Sequence, residues 1–269
     1  MLYQTDVMVN ILMIDVVSKG KTMSIALITG GSRGIGKATS LLLAQQGYKV
    51  VINYRQDKSA AEQTASLITQ AGGTALIIQA DIADEQQVVA MFAEIDRHFG
   101  PVTALVNNAG ILFQQSSIEN LTAERINKVF ATNVTGYFLC CREAVKRMAY
   151  RHGGKGGAIV NVSSAAARLG SPGEYVDYAA SKGAIDTLTT GLSVEVAAQG
   201  IRVNSVRPGF IYTDMHASGG EAGRVDRVKN LLPMQRGGEP AEVAEAIAWL
   251  LSDKASYITG TFIEAAGGK

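Results

Sequence analysis

The sequence has little of what would place it in several large protein classes. Its two cysteines, Cys140 and Cys141, are neighbours. Adjacent residues on a helix face different directions and a disulfide between them is strained, so the pair reads as small buried hydrophobes of a reducing, cytoplasmic compartment. The three histidines, His98, His152 and His216, are scattered without metal-ligand spacing, and no metal is expected. His98 and His152 read as surface or loop residues, whereas His216 falls in a segment suited to touching a substrate. No run of about 20 apolar residues occurs, which argues against a membrane-spanning helix. The formal net charge is +1 with no basic stripe, which argues against nucleic acid as a partner. No proline- or serine-rich linker divides the 269 residues.

What is present is an alternation of apolar strands and helical segments in a chain that is 47% hydrophobic. That pattern predicts one doubly wound α/β domain with a mostly parallel sheet and helices on both faces. Residues 24–29 form a short apolar run with strand character and lead into Thr29-Gly30-Gly31-Ser32-Arg33-Gly34-Ile35-Gly36. Beyond it, Ile35, Ala38, Leu41, Leu42 and Ala44 recur at helical spacing up to a capping Gly47. A glycine-rich turn between strand and helix is the setting for a dinucleotide pyrophosphate: Gly30 reaches backbone angles closed to other residues, Gly34 and Gly36 permit close approach, and amides at the helix start hold phosphate oxygens.

Residues 178–182 read Tyr-Ala-Ala-Ser-Lys. A tyrosine with an ordinary pKa near 10 is a poor base at neutral pH. A lysine at i+4 shares its helix face, and its positive charge favours the phenolate, which makes a usable acid/base. Tyr175 lacks this partner, because its i+4 residue is Ala179.

With these motifs the chain resembles the short-chain dehydrogenase/reductase family from Met23 to the C-terminus, which implies a single Rossmann-type domain. Asn107-Asn108-Ala109-Gly110 resembles the family's segment after the fourth strand, Asn133 in Ala131-Thr132-Asn133-Val134 its helix-borne asparagine, and residues 159–164 the strand that delivers its serine. Arg207-Pro208-Gly209 resembles the turn beside the nicotinamide. Within the family the chain is similar to bacterial 3-oxoacyl-carrier-protein reductases and glucose 1-dehydrogenases. The resemblance implies that Tyr178 gives or takes the substrate proton and that Lys182 lowers its pKa and holds the nicotinamide ribose. It further implies that a serine polarises the substrate oxygen and that Asn133 holds a water linking Lys182 to solvent. The family usually sets its tyrosine thirteen positions after the serine; here Tyr178 stands fourteen after Ser164 and fifteen after Ser163. Ser164 fits better, with one residue inserted near Ser171-Pro172-Gly173, and Ser163 then caps backbone.

The cofactor site is expected to comprise Gly30, Ser32, Arg33, Gly34, Ile35 and Gly36 in the turn, and Asn53, Tyr54 and Arg55 after the second strand. Asp81 and Ile82 follow the third strand, Asp81 being either an adenine contact or a helix cap. Asn108, Ala109 and Gly110, then Tyr178 and Lys182, and finally Pro208, Gly209, Ile211 and Thr213 complete it. An NAD enzyme usually places an acid where Tyr54 stands. Two guanidinium groups, Arg33 and Arg55, suit a 2′-phosphate instead, so NADP(H) is favoured over NAD(H).

Residues 210–239 are expected to form a substrate lid, in which Arg224, Arg227 and Lys229 either face solvent or attract an anionic or carrier-linked substrate. Residues 1–22 read as an extension, from a mis-assigned start or as a real arm, before a domain at 23–269; they do not read as a signal peptide. The reading is an NADP(H)-dependent oxidoreductase of a small carbonyl or secondary alcohol, working as a homotetramer or, second, a dimer. A 3-oxoacyl-carrier-protein reductase, a sugar dehydrogenase of the glucose 1-dehydrogenase kind and a non-catalytic dinucleotide-binding regulator are the alternatives.

Overall fold

The computed structural model describes residues 24–269; the extension at 1–22 and the start at Met23 lie outside them. Seven parallel strands form one sheet in the order β3-β2-β1-β4-β5-β6-β7. In chain order, β1 (Ile25–Ile28), α1 (Gly34–Gln45), β2 (Lys49–Tyr54), α2 (Lys58–Gln70), β3 (Thr74–Gln79), α3 (Glu85–His98) and β4 (Ala104–Asn107) build the first half. The second half runs α4 (Ala123–Phe130), α5 (Gly136–Met148), β5 (Gly157–Val162), α6 (Ala166–Leu169), α7 (Val176–Val196), β6 (Ile201–Pro208), α8 (Met215–Ser218), α9 (Arg224–Val228), α10 (Pro240–Leu251) and β7 (Phe262–Ala265).

The central strands are apolar without alternation because helices cover both faces. Ile25, Ala26, Leu27 and Ile28 are all buried, as are Ala104, Leu105 and Val106. One face packs on α3, α5 and α7 through residues such as Phe92, Tyr137 and Ile185. The other packs on α1, α2 and α10 through Leu43, Ile68 and Ile247. The strand order reverses between β1 and β4, and a crevice opens at their carboxyl ends, where doubly wound sheets bind ligands.

The expected elements around the motifs are present: α1 ends before Gly47, whose φ is +87°, β2 ends at Tyr54, and β3 ends two residues before Asp81. Of the apolar run 258–265 only Phe262–Ala265 forms a strand. Side chains of the neighbouring strand occupy its first half instead: Asn204 donates Nδ2 to Ile258 O (2.9 Å) and accepts from Thr261 N (3.0 Å). Among the described residues no helix is long and apolar enough to cross a membrane.

Candidate active site

Thr29 joins the two strand ends at the switch point. Its Oγ1 accepts from the amides of Asn108 (2.9 Å) and Ala109 (3.0 Å). The Asn108 side chain returns the link, donating to Thr29 O (2.9 Å) and Gly30 O (3.1 Å). Asn53 does the same from β2: its Oδ1 accepts from Gly30 N (3.3 Å) and its Nδ2 donates to Ala80 O (3.0 Å). Asn53 is thereby consumed by backbone, and it shapes the glycine turn from behind.

The turn needs its glycines for two different reasons. Gly30 and Gly34 have φ of +61° and +50°, where other residues are strained. At Gly36 the obstacle is space, because a Cβ would stand 2.2 Å from Gly30 O and 2.6 Å from Asn108 Nδ2. The result is a turn whose backbone passes close to the start of α1, with Arg33 at the N-cap position.

A cleft of about 500 Å³ opens above this turn. Gly30, Ser32, Arg33, Gly34 and Ile35 line it, joined by Asn53, Tyr54 and Arg55 from β2. Asp81 and Ile82 close one side, and Asn108, Ala109, Gly110 and Thr213 another. Four predicted residues, Gly36, Pro208, Gly209 and Ile211, do not line it. Gly36 packs behind the turn, Gly209 N–H bonds Ala265 O (3.0 Å), and Ile211 is buried in the sheet's edge, bridged to Gly238. Tyr178 and Lys182 sit apart from the cleft lining, on α7. Sequence reasoning missed Gln56, Asp57, Leu112, Thr132 and Met215, which also line the cleft. Asp57 carried a signal, an Asp preceding a helical run; it caps α2 by accepting from Ala60 N (3.0 Å).

Asp81 is not the helix cap. That place belongs to Asp84, which accepts from Gln86 N (2.9 Å) and Gln87 N (3.1 Å). Asp81 closes its own turn on Ala83 N (3.0 Å) and its Oδ2 lies 3.9 Å from Arg55 Nη1. Arg33, exposed at the cleft, makes no ion pair among the described residues.

The reacting cluster is built by α7, β5 and the junction of α4 and α5. Lys182 is buried, and its Nζ donates to Val162 O (2.8 Å) and to the Tyr137 hydroxyl (3.4 Å). Burial pushes its pKa down to about 7, against a smaller upward pull from Asp186. Burial pushes Tyr178 up to about 12, and a hydrogen bond with the Ser164 side chain pulls the other way. The two serines are thereby separated: Ser164 meets the phenol, while the buried Ser163 donates to Lys182 O (3.2 Å) and fastens α7 to the end of β5. Asn133 occupies a single π turn, Ala131–Thr135, between α4 and α5. Its Oδ1 accepts from Ile111 N (2.8 Å), and its Nδ2 donates to Ile111 O (2.9 Å) and Ser181 Oγ (3.1 Å). Such turns often mark functional positions. Tyr137, which sequence reasoning passed over, is fully buried beneath Lys182 and donates to Val162 O (3.2 Å).

The segment 210–239 leaves and returns through one stem, in which Gly238 N donates to Phe210 O (2.9 Å) and Tyr212 N to Gly238 O (3.0 Å). Between them Thr213 and Asp214, and Met215 and Ser218 of α8, line the cleft. The lid cations are all paired: Arg224 with Glu174 and Glu221, Arg227 with Glu221, and Lys229 with Asp226 (2.9 Å). Arg224 is buried as well, its guanidinium 5.0 Å from the Tyr175 ring centre and 5.5 Å from that of Phe210. His216, half-buried, holds Ile211 O at 3.0 Å. Cys140 and Cys141 are buried, and burial pushes Cys141 up to about 12 and Cys140 well above its ordinary value, so neither is a reactive thiol.

A parallel sheet with a glycine turn at its switch point and a Ser-Tyr-Lys cluster beside the cleft defines a dinucleotide-binding α/β oxidoreductase. Comparison with known proteins makes the assignment specific. Residues 30–269 match a family described as enoyl-(acyl carrier protein) reductase. The chain is 76% identical to the uncharacterized oxidoreductase YgfF of Escherichia coli K12 over 247 residues, 92% of this chain and all of the relative. It is 38% identical to the 3-oxoacyl-[acyl-carrier-protein] reductase FabG of Staphylococcus aureus Mu50, covering 90% of this chain and 96% of the relative. A solved short-chain dehydrogenase/reductase of Serratia marcescens, a double Phe-to-Leu mutant, superposes with a TM-score of 0.83 at 35% identity over 91% of this chain and 97% of its own. The chain belongs to the short-chain dehydrogenase/reductase family.

Proposed function

We propose that the protein is an NADP(H)-dependent oxidoreductase that interconverts a small carbonyl and a secondary alcohol, with Tyr178 as the acid/base. The observation that carries the reading is Tyr178 meeting Ser164 on one side and Lys182 on the next helical turn, beside a cleft that opens on a glycine turn. A nicotinamide held in that cleft supplies or accepts the hydride. In the reductive direction Tyr178 gives its phenolic proton to the carbonyl oxygen while the carbonyl carbon gains the hydride, so the alcohol forms with charge balanced. Ser164 donates a hydrogen bond to the same oxygen as negative charge grows on it. Lys182 stabilises the phenolate left behind. A phenol pushed up to about 12 keeps its proton at neutral pH, which suits the acid of a reduction.

The dinucleotide would be held by amides at the start of α1 and by the turn's close backbone, a cradle that a Cβ at Gly36 would fill. Arg33 and Arg55 both line the cleft beside Tyr54, which takes the position where an NAD enzyme usually has an acid, and this favours the 2′-phosphate of NADP(H). Asn133 would support the proton relay through its hold on Ile111 and Ser181. The pairing of Arg224, Arg227 and Lys229 removes the charge argument for an anionic or carrier-linked substrate. The name of the Staphylococcus relative is what keeps a 3-oxoacyl thioester among the candidates. Pairing of subunits through α5 and α7 into a homotetramer is supported by two apolar side chains left at the surface there, Phe138 (50% exposed) and Val194 (78%). A cytoplasmic location agrees with the two buried thiols.

Titration with NADPH and NADH, followed by ligand fluorescence, tests the cofactor reading; tighter NADPH is expected, and equal or better NADH binding overturns it. Tyr178→Phe should retain cofactor affinity and lose turnover at least a hundredfold over a carbonyl panel. Retained turnover overturns the acid/base assignment.

A further inference from the structure

Lys182 faces a physical difficulty. Its ammonium lies in the interior, and burial takes it down to about 7 even against the upward pull of Asp186, so at neutral pH the charge that Tyr178 requires is only half present. The groups around it are few. From α7 come Tyr178, whose ring centre is 5.6 Å from Nζ, and Asp186, one helical turn further on. From α5 comes Tyr137, a neutral phenol 3.4 Å away whose own ionisation burial opposes. The end of β5 offers Val162 O, and the π turn offers Asn133, already committed to Ile111 and Ser181. Asp186 is the only one of these that carries a charge opposite to that of the lysine.

The placement of Asp186 is specific. Arg207 on β6 grips its Oδ2 from Nε (3.0 Å) and Nη2 (2.9 Å). Arg207 is itself fixed by Glu264 on β7 (2.7 Å) and stacked on the Phe262 ring at 4.0 Å. The other carboxylate oxygen, Oδ1, is buried without a hydrogen-bond partner among the described residues. An oxygen left without a partner in the interior costs stability and calls for a reason. Tyr178, Lys182, Asp186, Arg207 and Glu264 therefore make a ladder of phenol and alternating charges, running from the reacting atoms to the edge of the sheet.

We propose that Asp186 is a positioning residue for the reaction: anchored by Arg207 one turn beyond Lys182, it keeps the lysine in its ammonium form beside Tyr178. It touches neither substrate nor cofactor and acts through the lysine. The inference rests on the acid/base reading of Tyr178 and Lys182 given above.

The test reads the lysine directly and needs no substrate. The full-length protein is labelled with ¹³C at lysine Cε, and the Lys182 resonance is identified by its loss in Lys182→Met. Its titration midpoint is then followed by NMR. Asp186→Asn keeps the shape and an acceptor for Arg207, and should lower the midpoint by about one pH unit, the scale for loss of a nearby opposite charge. Asp186→Glu should restore it. Arg207→Met frees the carboxylate from its competing cation and should move the midpoint upward, whereas a merely structural role of the Asp186–Arg207 pair would shift both variants the same way. An unchanged midpoint in Asp186→Asn, or a downward move in Arg207→Met, overturns the inference. Turnover that survives Tyr178→Phe overturns the acid/base reading instead and leaves the lysine titration standing, so the two failures are told apart.

Discussion

Arg224 in the segment 210–239 and Glu174 in the loop before α7 are ion-paired across 50 positions of sequence, with the guanidinium held against the rings of Tyr175 and Phe210. Glu174 lies four residues before Tyr178, in the stretch that carries the extra residue between serine and tyrosine. Around the pair, Tyr175 donates its hydroxyl to Gly219 O (3.0 Å), and Gln115 Nε2 donates to Glu221 (2.9 Å). These contacts tie the segment 210–239 to the loops at residues 115 and 174–175.

Arg224→Met should therefore loosen the lid without touching the reacting cluster. Glu174 is about a third exposed, so water takes up part of its lost partner and the expected cost is about 1–2 kcal/mol. Limited proteolysis should cut faster between residues 214 and 232, and KM for the carbonyl substrate should rise several-fold more than kcat changes. A variant with unaltered proteolysis and KM would show that the ion pair has no part in the lid.

Cofactor discrimination should rest more on Arg33 than on Arg55. Arg55 shares its charge with Asp81 at 3.9 Å, while Arg33 has no ion pair among the described residues. Arg33→Ala should weaken NADPH by about tenfold and leave NADH nearly unchanged, the loss of one charge-assisted phosphate contact. Asp81→Asn should do the opposite and tighten NADPH. Fluorescence titration of each variant with both nucleotides measures the two effects together; a loss shared equally by both nucleotides in Arg33→Ala counts against a 2′-phosphate contact.

Two glycine-to-alanine changes should have opposite signs. At Gly36 the new methyl meets backbone at 2.2 Å and the turn must open, so NADPH binding should fall at least tenfold and stability with it. At Gly191, inside α7, a Cβ meets nothing within 4 Å. Removing a helix-interior glycine there should add about 0.5–1 kcal/mol and raise Tm by about 1–4 °C. Thermal melts of the two variants settle the contrast.

The parts of the site that could be read from the chain are those whose logic is local. Gly30 to Gly36 announce a strand-to-helix turn because the constraint acts over seven consecutive residues, and Tyr178 and Lys182 announce proton transfer because a helix brings i and i+4 together. The doubly wound sheet follows from the alternation of strands and helices for the same reason. The lid cations were open to two readings, since their charges are visible in sequence and their partners are not: Glu174 stands 50 positions from Arg224. Asp81 looked able to cap a helix, but a cap must precede the first free amides, and Asp84 takes that place.

Folding decided everything that depends on distance between remote segments. Tyr137 reaches Lys182 across 45 positions, and Thr29 reaches Asn108 across 79. Ser164 meets the phenol while Ser163 donates to Lys182 O, a difference of side-chain direction between neighbours. Chain order determined which chemistry is available, because composition, helical period and glycine's backbone freedom are properties of short stretches. Tertiary packing decided how that chemistry is tuned, because burial and the electric field of distant charges belong to the assembled interior.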